Sequence, residues 1–134
     1  MKKVATIAII LLSSFSFSQK TMVEKLKPNQ TLIIRVQYYG DVFSDPRNFF
    51  TIQLAKLDGN SYEFLYKKGD KEVKKCANHN DLLPLINLEK ECINAKRDWG
   101  RSYTTVHIQL GWREKSYRMN RQFYKKTLKE LGLE

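Results

Sequence analysis

The sequence predicts an α+β fold: an antiparallel sheet in the order of about four strands, a helix, two strands and a helix, with the helices packed on one face. Three observations carry this. Apolar residues recur at every second position in four separate stretches, the period of a half-buried strand. Tight-turn pairs, Asp58-Gly59 and Gly69-Asp70, divide three of the predicted strands and so join them as hairpins. Two later stretches follow a 3.6-residue apolar period, and late helices with one apolar stripe pack against a sheet already formed. The chain of 134 residues suits one domain, and an apolar content of 42% suffices for a packed core.

Met1 to Ser18 stands apart from this domain. Lys2 and Lys3 precede an uninterrupted apolar run from Val4 to Leu12, and Ser16 and Ser18 occupy the small-residue positions before Gln19. This is the pattern of a secretory signal peptide, bacterial in style. A spanning helix needs about 20 apolar residues, which the run lacks, so no stable membrane anchor is expected after cleavage. No Cys follows the run, and lipid attachment at the new N-terminus is therefore unsupported. The expected location is the periplasm or the exterior. Loss of Lys2 and Lys3 takes the net charge from +10 to +8.

Residues 19–30 are polar, with Met22, Val23 and Leu26 spaced for one helical turn and Pro28 as a stop; they read as a tether or a short helix. The single domain then spans 31–134. In Thr31 to Tyr39, Leu32, Ile34, Val36 and Tyr38 share one side and Ile33, Arg35, Gln37 and Tyr39 the other. Gly40 to Arg47 is a loop. Asn48 to Leu57 places Phe50, Ile52 and Leu54 in phase, and Ser61 to Lys68 does the same with Tyr62, Phe64 and Tyr66. Lys71 to Cys76 is a short charged strand whose lysines suit a sheet edge.

Asn80 and Asp81 are cap residues for a helix carrying Leu82, Leu85 or Ile86, Leu88, Cys92, Ile93 and Ala95, with Pro84 in its first turn and an end near Arg97. Trp99-Gly100 turns the chain into the strand Tyr103 to Leu110, where Val106, Ile108 and Leu110 point inward. Gly111 to Lys115 reads as a break, and Ser116 to Met119 as a strand that pairs back. Asn120 is the expected cap of a last helix with Phe123, Tyr124, Thr127, Leu128 and Leu131 on one side, ended by Gly132.

Cys76 and Cys92 are the only thiols. An exported chain meets an oxidising compartment, and one thiol ends a strand while the other lies on the apolar side of a helix, so a disulfide is expected between them. The rival reading is two free thiols. A metal site could use His79 with Asp81 and Cys76, but that set has no recognised ligand spacing and a disulfide would consume the thiol, so no metal and no cofactor are expected. No nucleophile elbow, phosphate loop or dinucleotide glycine pattern occurs.

Charge is unevenly spread. Residues 31–66 hold three basic and four acidic side chains, whereas residues 67–134 hold sixteen and nine. Arg97, Arg101, Arg113, Arg118 and Arg121 cluster late in the chain, interleaved with Trp99, Tyr103, Trp112 and Tyr117. A guanidinium offers a planar fork to carboxylate or phosphate, and an indole or phenol ring offers a stacking surface. The leading expectation is therefore a non-enzymatic exported binding protein, possible subclasses being inhibitors and immunity proteins. Its binding residues would be Arg97, Trp99, Arg101, Trp112, Arg113, Tyr117, Arg118 and Arg121, and its partner an anionic protein, envelope glycan or phosphorylated headgroup. Nucleic acid fits the charge but not the export route. The alternative is a small exported hydrolase using the loop carboxylates Asp41 and Asp45.

Overall fold

The structure, a computed structural model, describes residues 20–39, 49–95, 103–119 and 124–133. Six strands, β1 (Thr31–Tyr39), β2 (Phe49–Lys56), β3 (Ser61–Lys68), β4 (Lys71–Asn78), β5 (Tyr103–Leu110) and β6 (Arg113–Met119), form one antiparallel sheet in the order β4-β3-β2-β1-β5-β6. Among the described residues two helices accompany it, α1 (Leu83–Asn94) and the short α2 (Lys125–Glu130). The architecture is of the α+β kind.

Alternation decides which side of the sheet is buried. Leu32, Ile34 and Val36 of β1 pair with Leu54, Ile52 and Phe50 of β2 and with Leu110, Ile108 and Val106 of β5. All but the half-buried Leu110 belong to a single core cluster, together with Tyr62, Phe64 and Tyr66 of β3 and Leu85, Ile86, Leu88 and Cys92 of α1. The intervening residues, among them Arg35, Gln37, Gln53, Glu63, Thr105 and His107, are only half-buried. At roughly 25 cal/mol per Å², withdrawing these apolar side chains from water supplies the main drive for folding.

Several element ends differ from the sequence expectation, each for a local reason. β4 continues to Asn78, because Asn78 and Asp81 close the entry to α1 between them: the Asn78 N–H donates to Asp81 Oδ2 at 2.9 Å and the Asp81 N–H to Asn78 Oδ1 at 3.0 Å. Asn80–Leu82 forms a 3-10 turn ahead of α1, whose second residue is Pro84. α1 stops at Asn94, three residues before Arg97, and leaves Ile93 and Ala95 exposed. The break expected over Gly111–Lys115 is a two-residue turn, Gly111-Trp112, made possible by the positive φ of 62° at Gly111. Gly132 also has a positive φ (71°), and the Leu133 N–H reaches back to the Leu128 carbonyl at 2.9 Å, a Schellman closure of α2. Asn120 and Phe123 lie outside the described residues.

Residues 20–30 are no loose tether. Thr21, Met22, Val23 and Leu26 are buried in a turn that joins the core. The turn is fastened by Glu89 of α1, whose carboxylate, only 2% exposed, accepts the Met22 N–H at 2.6 Å and the Val23 N–H at 3.1 Å. Burial pushes the Glu89 carboxyl above its ordinary range, and the two N–H bonds act in the opposite sense.

The two cysteines of the expected disulfide, Cys76 and Cys92, are not bonded to each other in the structure. Cys76 pairs with the half-buried Glu63, one register position from the buried Ala77–Tyr62 pair, so it lies on the face away from the core. Cys92 is buried among the core residues on the other side, and burial pushes its thiol up to about 12. The thickness of the sheet separates the sulfurs, and a bridge needs Cβ atoms only about 4 Å apart.

Candidate anion-binding site

Strand alternation divides the arginine and aromatic cluster of the sequence. In β6, Lys115, Tyr117 and Met119 oppose the buried Ile108, Val106 and Thr104, so Arg113, Lys115, Tyr117 and Met119 share the core side. Glu114, Ser116 and Arg118 take the other side. Tyr117 packs partly against the core, and its hydroxyl is pushed upward chiefly by burial, with Glu89 and Cys92 adding to it. Arg118 lies over the Tyr103 ring at 3.5 Å from the centroid, and Tyr103 in turn stacks on Tyr39 at 5.1 Å. Six residues of extended chain set Arg118 about 20 Å from Trp112. Arg97, Trp99, Arg101 and Arg121 lie outside the described residues. Of the four sequence-predicted binding residues that the structure describes, Trp112 and Arg113 are brought together, while Tyr117 and Arg118 lie apart on opposite sides of the strand.

That pair sits at the β5–β6 turn. Trp112 is 88% exposed, and the Arg113 guanidinium lies 5.3 Å from its ring centroid. Two adjoining cavities of about 630 and about 340 Å³ open beside it, both bordered by Lys25, Leu110, Trp112 and Arg113. The larger also meets Lys20, Glu24 and Lys27, and the smaller Met22, Glu114 and Lys115. Five cations against two carboxylates make the region basic. Glu24 is also engaged locally: it accepts from the Thr21 N–H at 3.2 Å and the Thr21 hydroxyl at 3.0 Å, and the backbone bond is the main reason its carboxyl falls below the ordinary range.

Sequence reading missed Lys20, Lys25, Lys27 and Lys115 as neighbours of Trp112. The lysines of residues 20–27 lie more than eighty positions away along the chain, and only the Glu89 clamp and the buried Met22, Val23 and Leu26 bring them there. One trace existed, an alternation of lysine with buried apolar residues just before Pro28.

His107 Nδ1 is 2.6 Å from Ser116 Oγ and 3.8 Å from Glu114 Oε1. Both partners approach the same ring nitrogen, whereas a Ser-His-acid relay uses both nitrogens, one for each. The set is therefore a surface polar cluster. Asp41 and Asp45, the carboxylates of the hydrolase alternative, lie outside the described residues. Among the described residues no group of three or more His, Cys, Asp and Glu is placed to hold a metal ion, and no helix is long and apolar enough to cross a membrane.

No protein-family model matches the chain, and no curated protein is significantly similar to it.

Proposed function

We propose that this chain is an exported, non-enzymatic binding protein that takes an anionic partner at the β5–β6 turn. One observation carries the reading: the nearly fully exposed Trp112, paired with Arg113, stands among Lys20, Lys25, Lys27 and Lys115. A large indole left in water costs the fold the burial it would otherwise gain. Beside cations it offers a partner both stacking area and charge, the composition of binding hot spots. The reading takes the helices to lie on the apolar side of the sheet, so that the basic turn stands clear at one end. Arg118 and Tyr117, engaged with Tyr103 and the core, are left out of the binding set.

Retention on immobilised heparin, a polyanion, over a salt gradient tests this. Lys25→Gln, Lys27→Gln and Arg113→Gln combined should elute at much lower salt than the wild type. A matched loss of charge on α2, Lys125→Gln, Lys126→Gln and Lys129→Gln, should change elution far less. Equal shifts would mean that diffuse charge alone attracts the polyanion, and the site would have to be abandoned.

A further inference from the structure

The register places a second exposed apolar side chain at the end of the sheet that carries Trp112. β1, β3 and β6 begin at this end, and β2, β4 and β5 finish there. Its hairpin tips are the β2–β3 turn, with Leu57 43% exposed, and the β5–β6 turn with Trp112. The strand order sets the two tips three strand spacings apart, about 14 Å. Between them runs the segment that leads into β1, carrying Lys25 and Lys27 and tied to β2 by an Asn29 N–H bond to the Lys56 carbonyl at 3.4 Å. Lys20, Lys56, Arg113 and Lys115 complete six cations at this end, against Glu24, Asp58 and Glu114.

From this arrangement we infer that the end of the sheet docks on an anionic lipid bilayer, with Trp112 and Leu57 dipping between headgroups that the lysines and Arg113 attract. This rests on the anionic-partner reading and selects the headgroup among its possible partners. Indole rings settle at the headgroup level of a membrane. Basic residues near an anionic leaflet contribute about 1 kcal/mol each. Two apolar knobs separated by cations suit a flat surface that deforms around both, whereas a folded acidic protein would need a matching hollow for each. The contact is peripheral and yields to salt, since exposed charges are screened beyond about 8 Å at physiological ionic strength.

Cosedimentation of the exported form, beginning at Gln19, with vesicles tests the assignment, with equimolar phosphatidylglycerol and phosphatidylcholine compared with phosphatidylcholine alone. Without Lys2, Lys3 and the apolar run Val4 to Leu12, lipid binding by the leader does not enter the comparison. The wild type should bind the anionic vesicles more tightly. Trp112→Ala should weaken that binding about tenfold, in line with burial of one large apolar side chain. Lys25→Gln and Lys27→Gln should each weaken it about fivefold. Unfolding in urea should be unchanged for all three, because the side chains are exposed. Equal affinity for both vesicles, or unaltered binding by Trp112→Ala, overturns the inference. Heparin binding without preference for anionic vesicles overturns the membrane assignment and leaves the anionic-partner reading standing; loss of both ends both.

Discussion

The two edge strands of the sheet, β4 and β6, are both rich in cations, yet they use them differently. On β4 the cations are built into the fold. Lys71 Nζ donates to the Leu133 carbonyl at 2.9 Å and lies 6.0 Å from the Tyr66 ring centroid. Lys75 Nζ donates to the Leu131 carbonyl at 2.8 Å and lies 5.3 Å from that of Phe64. Lys74 pairs with Glu63 at 2.8 Å, a hydrogen bond that raises its ammonium above the ordinary range. On β6, Arg118 is engaged with Tyr103, but Arg113 and Lys115 border open cavities beside an exposed indole. Equal charge density thus says little about role. A cation that finds carbonyls at a helix end is structural, and one that lines a cavity beside a bare aromatic ring is available to a partner.

The largest expected effect concerns the clamp behind the β6 side. Glu89→Ala leaves two buried N–H groups without an acceptor and should lower the stability measured by urea unfolding by about 3 kcal/mol. It should also release Lys20, Lys25 and Lys27 from Trp112 and weaken heparin binding. Glu89→Gln keeps one acceptor oxygen and should cost less. Because burial raises the folded-state value above the ordinary 4.5, the carboxyl's contribution to stability is full below that pH and falls as pH rises through the raised value. The Gln variant should lack this slope. A wild-type profile identical in slope to that of Glu89→Gln would show that the carboxyl is not desolvated.

A smaller effect separates the two edges directly. Lys71→Ala with Lys75→Ala should lower stability by about 2 kcal/mol, since each lysine loses a charge-assisted hydrogen bond and a ring contact at a partly exposed site. Heparin retention should change little. Arg113→Gln with Lys115→Gln should behave in the opposite way, with stability within about 0.5 kcal/mol of wild type and weaker retention. If both pairs lost stability equally, the distinction between the edges would fall.

The smallest effect is a matter of labelling. Native protein treated with an alkylating reagent should be modified at Cys76 and spared at Cys92, where burial holds the thiol protonated. Both should react after unfolding without a reductant. Failure of both to react in the unfolded, unreduced protein would restore the disulfide.

The strands were readable because a two-residue period leaves few alternatives: Leu32-Ile34-Val36 and Phe50-Ile52-Leu54 admit one buried side. The same period hid the site. Arg113, Tyr117 and Arg118 look like one patch in the sequence, but one step along a strand reverses direction, so Tyr117 and Arg118 part company. Glu89 stands at helical spacing between Leu85 and Cys92, but nothing in the sequence marks it as a clamp, because the backbone donors it meets carry no side-chain signature. The join between Lys25 and Trp112 depends on tertiary packing that no local pattern encodes.

The Glu89 clamp also sets the order of synthesis against the order of closure. Met22 and Val23 leave the ribosome more than sixty residues before the carboxylate that accepts their N–H groups. Closing so long a loop costs entropy that only the finished helix and sheet can offset. The first stretch of the domain to be made must therefore wait, uncommitted, for a residue two-thirds of the way along the chain. Throughout that interval its lysines and apolar side chains remain open to whatever machinery handles the emerging polypeptide.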